Sequence, residues 1–403
     1  MRVLQLDKKF PYPPRDGGSI ATLNISRALA GLGHDVTILA MNTEKHHFDP
    51  SSIPEEISKA IDFHAVDIDT AVHTFAALWA LIRNRSYNVE RFRSREYERE
   101  LRRILNSHGP FDVIQLEGLY LAPYIDVIRE ESKSLIALRA HNVEHLIWER
   151  RADTTAGLLK RTYLKTLAHQ LRRYEIETLN RVDALVPISP VDAREFQRLG
   201  CKRPIHVCPA SFCEETVTPG NASPPHESIF FLGALDWSPN LDGLAWFMND
   251  VWPQVLRQHP DLVLHIAGRN MPDSIRALQS KNITTYGEVE DAYEYMRNFN
   301  LMIVPLLSGS GMRVKIIEGM ALGKVIISTT IGVEGIEGTP GEHYLVADTP
   351  DQFAQQIIDA LSQPTTHCRE LSANALTFAR NHYGSRETTH ELVGFYEGLL
   401  TRG

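Results

Sequence analysis

Short apolar runs of strand length alternate with longer stretches of helical periodicity along the whole chain. Residues 3–6 and 113–117 are such runs in the first half, and residues 229–232 and 301–307 are such runs in the second half. This alternation is typical of parallel sheets with helices on both faces. Ligands of such sheets bind at the carboxyl ends of the strands. The pattern therefore predicts an α/β protein with two doubly wound parallel sheets, each with a ligand site at that edge.

The length of 403 residues suits two domains of roughly 200 residues each. One segment between the two halves is rich in proline, glycine and serine, which is the composition of a linker. We therefore expect an N-terminal domain over residues 1–213, a linker over residues 214–227, a C-terminal domain over residues 228–385 and a terminal helix over residues 386–403.

Composition limits the possible partners and the location. The formal net charge of -8 argues against general binding of nucleic acid. The apolar stretches are shorter than the roughly 18 residues that a membrane span needs, and the chain begins with a strand pattern instead of a signal peptide. We therefore expect a cytoplasmic protein. The cysteines lack a C-x-x-C or zinc spacing, which favours reduced structural thiols at Cys201, Cys208, Cys213 and Cys368.

The strand pattern at residues 301–307 leads into a glycine-rich loop and then a helix. Gly309 and Gly311 permit positive φ and close approach of the backbone to a ligand, and helix N-termini bind phosphates. Arg313 and Lys315 add two cations, and Glu318 offers a carboxylate that can accept hydrogen bonds from a ribose diol. The combination of these residues predicts a binding site for a nucleotide. A surface ion pair between Lys315 and Glu318 next to an ordinary loop is the alternative.

Two further groups of residues are predicted at strand ends in the first half. Gly17 and Gly18 follow the first strand and precede a helical stretch, which is a position for ligand binding. His141 follows the strand at residues 134–138, within a polar cluster that also contains Arg139, Asn142, Glu144 and His145. A histidine at the end of a parallel strand is well placed for an active-site role.

Three segments together resemble the GT-B glycosyltransferases of family 4. They are residues 309–336, the motif at residues 139–144 (Arg-Ala-His-Asn-Val-Glu) and the start of the second half at residues 231–237. The resemblance implies a GT-B fold, with two Rossmann-like domains that face each other across a cleft and a terminal helix that crosses back onto the first domain. It implies an enzyme that moves a sugar from a nucleoside diphosphate sugar to a hydroxyl acceptor in glycan or glycolipid assembly. It also implies retention of anomeric configuration, no cofactor besides the nucleotide sugar, and no bound metal.

The resemblance also assigns roles to residues. Catalytic contacts are implied for His141, which would touch the donor sugar, and for Arg313 and Lys315, which would stabilise the departing diphosphate. Asn240 would be a donor to phosphate. The remaining donor-binding positions are Gly17, Gly18, Gly287, Glu288, Val289, Gly309, Ser310, Gly311, Met312 and Glu318.

This chain departs from the family pattern at two places. Many members have an arginine directly after the glycine at 233 and a lysine several residues later, where this chain has Ala234 and Asn240. Ser310 occupies the position of the first of two signature glutamates, of which Glu318 matches the second. We therefore expect Arg313 and Lys315 to carry the charge compensation, and nearby groups to replace the first glutamate.

Several alternatives remain open on the sequence. Residues 83–103 carry eight arginines interleaved with glutamates, which fits either peripheral contact with the inner face of a membrane or an exposed helix with internal ion pairs. The acceptor is a glycan, a lipid-linked hydroxyl or a small soluble sugar. A sugar-nucleotide 2-epimerase and a catalytically silent GT-B subunit share the fold. The intact set of Arg313, Lys315 and Glu318 counts against the silent subunit.

Overall fold

The computed structural model describes residues 1–14, 16–44, 47–71, 86–219, 228–309, 311–362 and 367–401. The chain divides into two compact units. The N-terminal unit comprises Met1–Ala210 and Ser385–Gly403, and the C-terminal unit comprises Ser211–Gly384. Most of the predicted linker (residues 220–227) and the predicted site residue Ser310 lie outside the described residues.

Strands and helices alternate through both units. The strands are β1 Arg2–Asp7, β2 Asp35–Thr43, β3 Ile61–Ile68, β4 Val113–Glu117, β5 Leu135–Ala140, β6 Ala184–Pro187, β7 Ile229–Leu232, β8 Leu264–Ala267, β9 Ile283–Gly287, β10 Leu301–Val304, β11 Val325–Ser328 and β12 Leu345–Val346. The helices are α1 Gly17–Gly31, α2 Glu55–Ser58, α3 Tyr87–Glu90, α4 Arg95–Ser107, α5 Ile125–Glu131, α6 Glu144–Thr154, α7 Leu158–Leu179, α8 Pro190–Arg198, α9 Ser238–Trp246, α10 Trp252–Gln258, α11 Asp273–Arg276, α12 Ala292–Arg297, α13 Val314–Ala321, α14 Pro350–Ser362, α15 His367–Tyr383 and α16 Ser385–Leu400. Short 3₁₀ segments occur at Pro50–Ser52 and Leu119–Tyr124, and a π-helical segment at Phe247–Val251.

Each unit contains a parallel sheet with the same topology. The strand order is β3-β2-β1-β4-β5-β6 in the N-terminal unit and, written from the same side, β9-β8-β7-β10-β11-β12 in the C-terminal unit. In both sheets the chain first extends in one direction and then returns to the centre and extends in the other. The topological switch point, where ligands of open α/β sheets bind, therefore lies between β1 and β4 in one unit and between β7 and β10 in the other. The predicted doubly wound parallel sheets are confirmed.

Both faces of the N-terminal sheet are covered, which explains why its central strands are apolar at consecutive positions. Along β1, Val3 packs into one hydrophobic cluster, while Leu4 and Leu6 pack into another on the opposite face. The last helix, α16, covers the Val3 face of this unit with Leu392, Val393 and Tyr396. The Tyr396 hydroxyl donates a hydrogen bond to the buried Gln115 side chain at the centre of β4.

The arginine-rich stretch forms ion pairs within its own helix. Along α4, Arg99 pairs with Glu96, and Arg103 pairs with Glu100, each at a spacing of three residues. Arg102 contacts Glu98 on the same helix and Glu130 and Glu131 near the end of α5. This part of the stretch has the features of an exposed, ion-paired helix. Residues 83–85 lie outside the described residues. Among the helices that the structure describes, none is long and apolar enough to span a bilayer.

Candidate active site

The loop after β10 has the backbone that its glycines predict. Gly309 has φ of 121° and Gly311 has φ of 81°, a region that other residues rarely adopt. A Cβ atom on Gly309 would lie 2.7 Å from the Arg313 guanidinium and 3.2 Å from the Trp237 indole. Glycine at 309 is therefore required by conformation and by space, because two side chains close in on its backbone.

Arg313 lies immediately before α13. Its extended backbone (φ -94°, ψ 90°) makes it the N-cap residue, and the helix begins at Val314. The guanidinium stacks over the Trp237 ring at 5.4 Å from the centroid, and it donates a hydrogen bond to the Gly311 carbonyl. A buried cation thus lies at a helix N-terminus, where the helix dipole disfavours positive charge and favours an anion.

Lys315 reaches across the switch point from α13 to the end of β7. Its ammonium donates to the Leu232 carbonyl at 3.0 Å and to Asn240 Oδ1 at 3.2 Å, and it lies 5.0 Å from the centre of the Phe231 ring. Burial, together with the smaller effect of the positive charge of Arg313, lowers the pKa of Lys315 to about 7. The environment thus disfavours the charged form of Lys315, and a nearby anion would restore it.

Gly233 and Asn240 form the wall next to this lysine. A Cβ atom on Gly233 would lie 3.1 Å from Lys315 Nζ and 2.9 Å from Asn240 Nδ2. The buried Asn240 side chain donates to the Ala234 carbonyl at 2.8 Å and accepts from Lys315. In this arrangement Asn240 holds Lys315 in position.

Glu318 is buried one turn further along α13 and is only 5% exposed. It accepts a hydrogen bond of 2.7 Å from the Tyr293 hydroxyl on α12. Burial raises the pKa of Glu318 to about 7, and the Tyr293 hydrogen bond opposes the shift. Lys315 and Glu318 therefore have different partners and are not a simple surface ion pair. Sequence reasoning missed Tyr293, since no motif links it to Glu318.

The predicted base-contacting segment lies at the end of β9. Gly287 has φ of 73°, and its carbonyl accepts a hydrogen bond of 2.7 Å from the Gly268 amide at the end of β8. Glu288 is exposed and Val289 is half-buried. Met312, by contrast, is buried beside Arg313 in the loop before α13. The positive φ of Gly287 makes glycine the suitable residue at this turn.

Gly17 and Gly18 do not form a flexible loop. They are the first two residues of α1, because Asp16 caps the helix by accepting from the Ser19 amide at 3.0 Å. The Asp16 carboxylate also binds the Lys9 ammonium. A Cβ atom on Gly18 would lie 3.7 Å from His141 Nδ1. Gly18 and His141, 123 positions apart in the chain, are thus neighbours in the N-terminal unit.

His141 forms a buried network with Glu117, the last residue of β4. The Glu117 carboxylate accepts from His141 Nε2 at 2.6 Å, from Arg139 Nη1 at 3.0 Å and from Thr22 Oγ1 at 3.1 Å. Burial alone would raise the pKa of Glu117, but Arg139 and His141 outweigh it and hold the pKa at about 2. Burial lowers the pKa of His141, despite the opposing charge of Glu117. The resulting tautomer carries its proton on Nε2 and leaves Nδ1 as an acceptor on the side of Gly18.

The rest of the predicted polar cluster has structural partners. His145 Nδ1 lies 2.6 Å from the buried Glu175 carboxylate on α7, and Glu144 accepts from the Tyr120 hydroxyl at 2.8 Å. These contacts attach the start of α6 to its neighbours. Glu117, which sequence reasoning did not single out, has the more direct contact with His141. Its position at a strand end beside the switch point is the signal that could have revealed it.

The two sheets with a site at each switch point define a GT-B architecture of two Rossmann-like domains, and two family models match the chain in succession. The glycosyl transferase 4-like domain matches residues 16–210, and the glycosyl transferases group 1 model matches residues 226–363. Together the two matches take in most of the chain. The chain belongs to the GT-B glycosyltransferases of the family 4 type, and it is a transferase.

Individual relatives are distant. An uncharacterised 44.6 kDa protein of the cps region of Klebsiella pneumoniae is 25% identical over 404 residues, which is 96% of this chain and 97% of that protein. Sucrose-phosphate synthase from Thermosynechococcus elongatus superimposes with a TM-score of 0.74 at 15% identity, over 100% of both chains. HepE from Anabaena, solved in complex with UDP-glucose, superimposes with a TM-score of 0.65 at 11% identity, over 99% of this chain and 100% of that one. The structural similarities show the fold.

Proposed function

We propose that this glycosyltransferase moves a sugar from a nucleoside diphosphate sugar to a hydroxyl acceptor, with retention of anomeric configuration and without a metal ion. One observation carries the proposal. Two buried or half-buried cations, Arg313 and Lys315, lie at the N-terminal end of α13, next to a loop in which Gly309 and Gly311 have positive φ. Such a site costs stability unless it receives an anion, and a diphosphate supplies the matching charge.

The diphosphate would be bound by the protein's own cations. Lys315 Nζ lies next to Gly233, and the Arg313 guanidinium is held on Trp237. Both are preorganised, so they would stabilise the negative charge that develops on the leaving group without first reorganising. This supply of positive charge removes the need for a divalent ion and supports the metal-independent reaction.

Glu318 would bind the ribose of the donor nucleotide. Its carboxylate can accept two hydrogen bonds from a vicinal diol, and the Tyr293 hydroxyl already holds one of its oxygens in place. The backbone at Gly287, Glu288 and Val289 would contact the base. HepE from Anabaena was solved with UDP and with UDP-glucose, which makes a uridine donor the first to test here.

His141 would contact the transferred sugar. Since Glu117 holds its Nε2 proton, the neutral ring offers Nδ1 as an acceptor for a sugar hydroxyl. Glu117 is then a positioning residue that selects the tautomer. Gly18 leaves space beside that nitrogen, which an alanine at this position would fill. Gly17, the residue before it, would bind the donor at the same helix N-terminus.

The acceptor we propose is a growing surface polysaccharide or its lipid-linked precursor, and the relative from a cps region supports this choice. Lipid-linked acceptors occur at the inner face of a membrane. The start of α7 has side chains that are suited to contact with such a surface. Leu158 and Leu159 are 79% and 88% exposed, and they lie next to Lys160 and Arg161. Exposed apolar side chains beside cations are suited to an anionic lipid surface.

Nucleotide binding is the first test. Calorimetry with UDP, GDP, ADP and TDP in the presence of a chelator should show one preferred nucleotide for the wild type. Glu318→Ala should lose that preference, whereas Glu342→Ala, which changes an exposed glutamate of the same unit, should keep it. Failure of all four nucleotides to bind would overturn the proposal. With the donor known, the anomeric configuration of the product, read by NMR, tests retention, and donor isomerisation without acceptor would indicate an epimerase.

A further inference from the structure

Two histidines and an aspartate converge at the amino-terminal end of the N-terminal sheet. Asp62 and His64 are alternate residues of β3, so their side chains share a face, and His108 directly follows α4. His64 Nε2 lies 2.9 Å from Asp62 Oδ2, and His108 Nε2 lies 3.9 Å from the same oxygen. One ligand atom from each of the three residues lies within 4.8 Å of the other two. We propose that this cluster is a binding site for a divalent transition metal, with zinc as the best match.

The other ring nitrogens give independent support. His64 Nδ1 lies 3.6 Å from the Glu100 carboxylate, and His108 Nδ1 lies 2.7 Å from the Ser107 hydroxyl. Metal-binding histidines usually engage their second nitrogen with a carboxylate, a carbonyl or water, which fixes the ring and its tautomer. Here both rings have a partner on the outer side and point Nε2 at the same carboxylate. A chance surface cluster has no reason to orient two imidazoles in this way.

The charges around the cluster also favour a cation. Arg103 Nη2 lies 3.4 Å from His64 Nδ1, but Glu100 offsets its charge by accepting two hydrogen bonds, from Nε at 2.8 Å and from Nη2 at 2.6 Å. The Arg2 guanidinium donates a hydrogen bond to the His108 carbonyl, and its Nε lies 3.9 Å from the Asp35 carboxylate. Both of these cations thus have a carboxylate partner, and Asp62 adds a further negative charge beside the two imidazoles. A bound metal would take the place of the 2.9 Å contact between His64 Nε2 and Asp62 Oδ2.

The donor set selects the kind of metal. Two imidazoles and one carboxylate suit zinc, nickel or copper, whereas magnesium and calcium prefer oxygen ligands alone. Three protein ligands leave a fourth tetrahedral position for water. A bound ion would link the end of α4 to β3, which is an edge strand of the N-terminal sheet. Since these ligands come together only in the folded chain, binding should stabilise the fold.

The test is calorimetry with zinc chloride on the full chain without a histidine tag. The wild type should bind one equivalent, and its melting temperature should rise with zinc. Glu100→Gln removes only the outer partner of His64, so it should weaken zinc binding by roughly 10- to 100-fold. His64→Ala and His108→Ala each remove a ligand of the metal and should weaken zinc binding by more than this. His169→Ala, which removes an exposed histidine of α7, should bind as the wild type does.

Cobalt absorption identifies the ligand atoms. Nitrogen and oxygen ligands give weak visible bands only, whereas sulfur-to-cobalt charge transfer would show that a cysteine binds the ion and would overturn the proposal. Absence of a one-equivalent site in the wild type, or wild-type affinity in both histidine variants, would also overturn it. If a histidine variant misfolds, Asp62→Asn decides, because this half-exposed side chain can change without loss of packing. Without metal, the Asp62→Asn variant must melt at the same temperature as the wild type. With zinc, its melting temperature must not rise.

Discussion

The two units have the same strand order, but the side chains at their switch points carry charges of opposite sign. In the N-terminal unit the paired strands β1 and β4 end in two carboxylates, Asp7 and Glu117, which are direct neighbours in register. Burial raises the pKa of Asp7 well above its usual range, and the negative charge of Glu117 adds to the shift. In the C-terminal unit β7 and β10 end in apolar residues, and the charge comes from Arg313 and Lys315 instead.

This difference shows what the shared topology does and does not determine. The parallel sheet brings strand ends and helix N-termini together at the switch point in both units. It does not determine which ligand binds there, since that depends on a few side chains. Acidic groups with a neutral histidine suit sugar hydroxyls, and cations beside glycines suit a diphosphate. The variants below separate these two roles.

The largest effect is expected for Lys315→Met, which keeps the apolar stem and removes the cation. Loss of a preorganised donor to the leaving group should lower kcat by roughly 100- to 1000-fold. Initial rates at saturating donor measure this effect. Lys281→Met, which removes an exposed lysine of the same unit, is the control and should keep wild-type turnover. A kcat within a few-fold of wild type for Lys315→Met would refute the assignment of Lys315 to the diphosphate.

His141→Ala tests the N-terminal side of the comparison. It removes one acceptor for a sugar hydroxyl, so turnover should fall about tenfold. The affinity for free nucleoside diphosphate should stay within about twofold, because the proposed nucleotide contacts are all in the C-terminal unit. Rates and calorimetry on the same preparation measure both quantities. His390→Ala, on the exposed side of α16, should change neither. Equal losses in turnover and nucleotide affinity would contradict the division of roles.

Tyr293→Phe should have a smaller, pH-dependent effect on nucleotide affinity. Without the hydroxyl, the pKa of Glu318 should rise further, and more of the carboxyl should be protonated at pH 7. A neutral acid accepts hydrogen bonds from a ribose less strongly, so affinity at pH 7 should fall about fivefold. The loss should shrink near pH 9, where Glu318 is ionised in both proteins. A loss that is constant with pH would mean that Tyr293 contacts the nucleotide itself.

The fold and part of the site follow from local patterns in the sequence. Alternating strand and helix periodicity predicts two doubly wound sheets, and the glycines at 309 and 311 predict positive φ, because these signals depend on adjacent residues. The Asp16 cap is a further local signal, and it makes Gly17 and Gly18 the first residues of α1. The partners Glu117 and Tyr293 lie 24 and 25 positions from His141 and Glu318. Such pairs depend on tertiary packing, which periodicity does not encode.

The smallest effect is expected in the pH dependence of stability without ligand, and it again depends on Lys315 and Glu318. The pKa of Glu318 is raised from 4.5 to about 7, so the folded chain binds more protons than the unfolded chain in this range, and stability should fall as pH rises through it. The pKa of Lys315 is lowered from 10.5 to about 7, so stability should rise with pH above 7. Together the two groups should produce a minimum near pH 7 that is about 1–3 kcal/mol deep, a shift of several degrees in melting temperature.

Differences between proteins isolate these two contributions from all other titrating groups. The melting temperature of the wild type minus that of Glu318→Gln should fall between pH 4.5 and 7 and stay level above. The difference between the wild type and Lys315→Met should be level at low pH and should rise from pH 7 to 10.5. Saturating nucleoside diphosphate should remove the minimum, because the bound anion favours the charged lysine. A minimum that persists with bound nucleotide would show that these two groups do not meet the ligand, and that the cations of the C-terminal unit serve the fold instead.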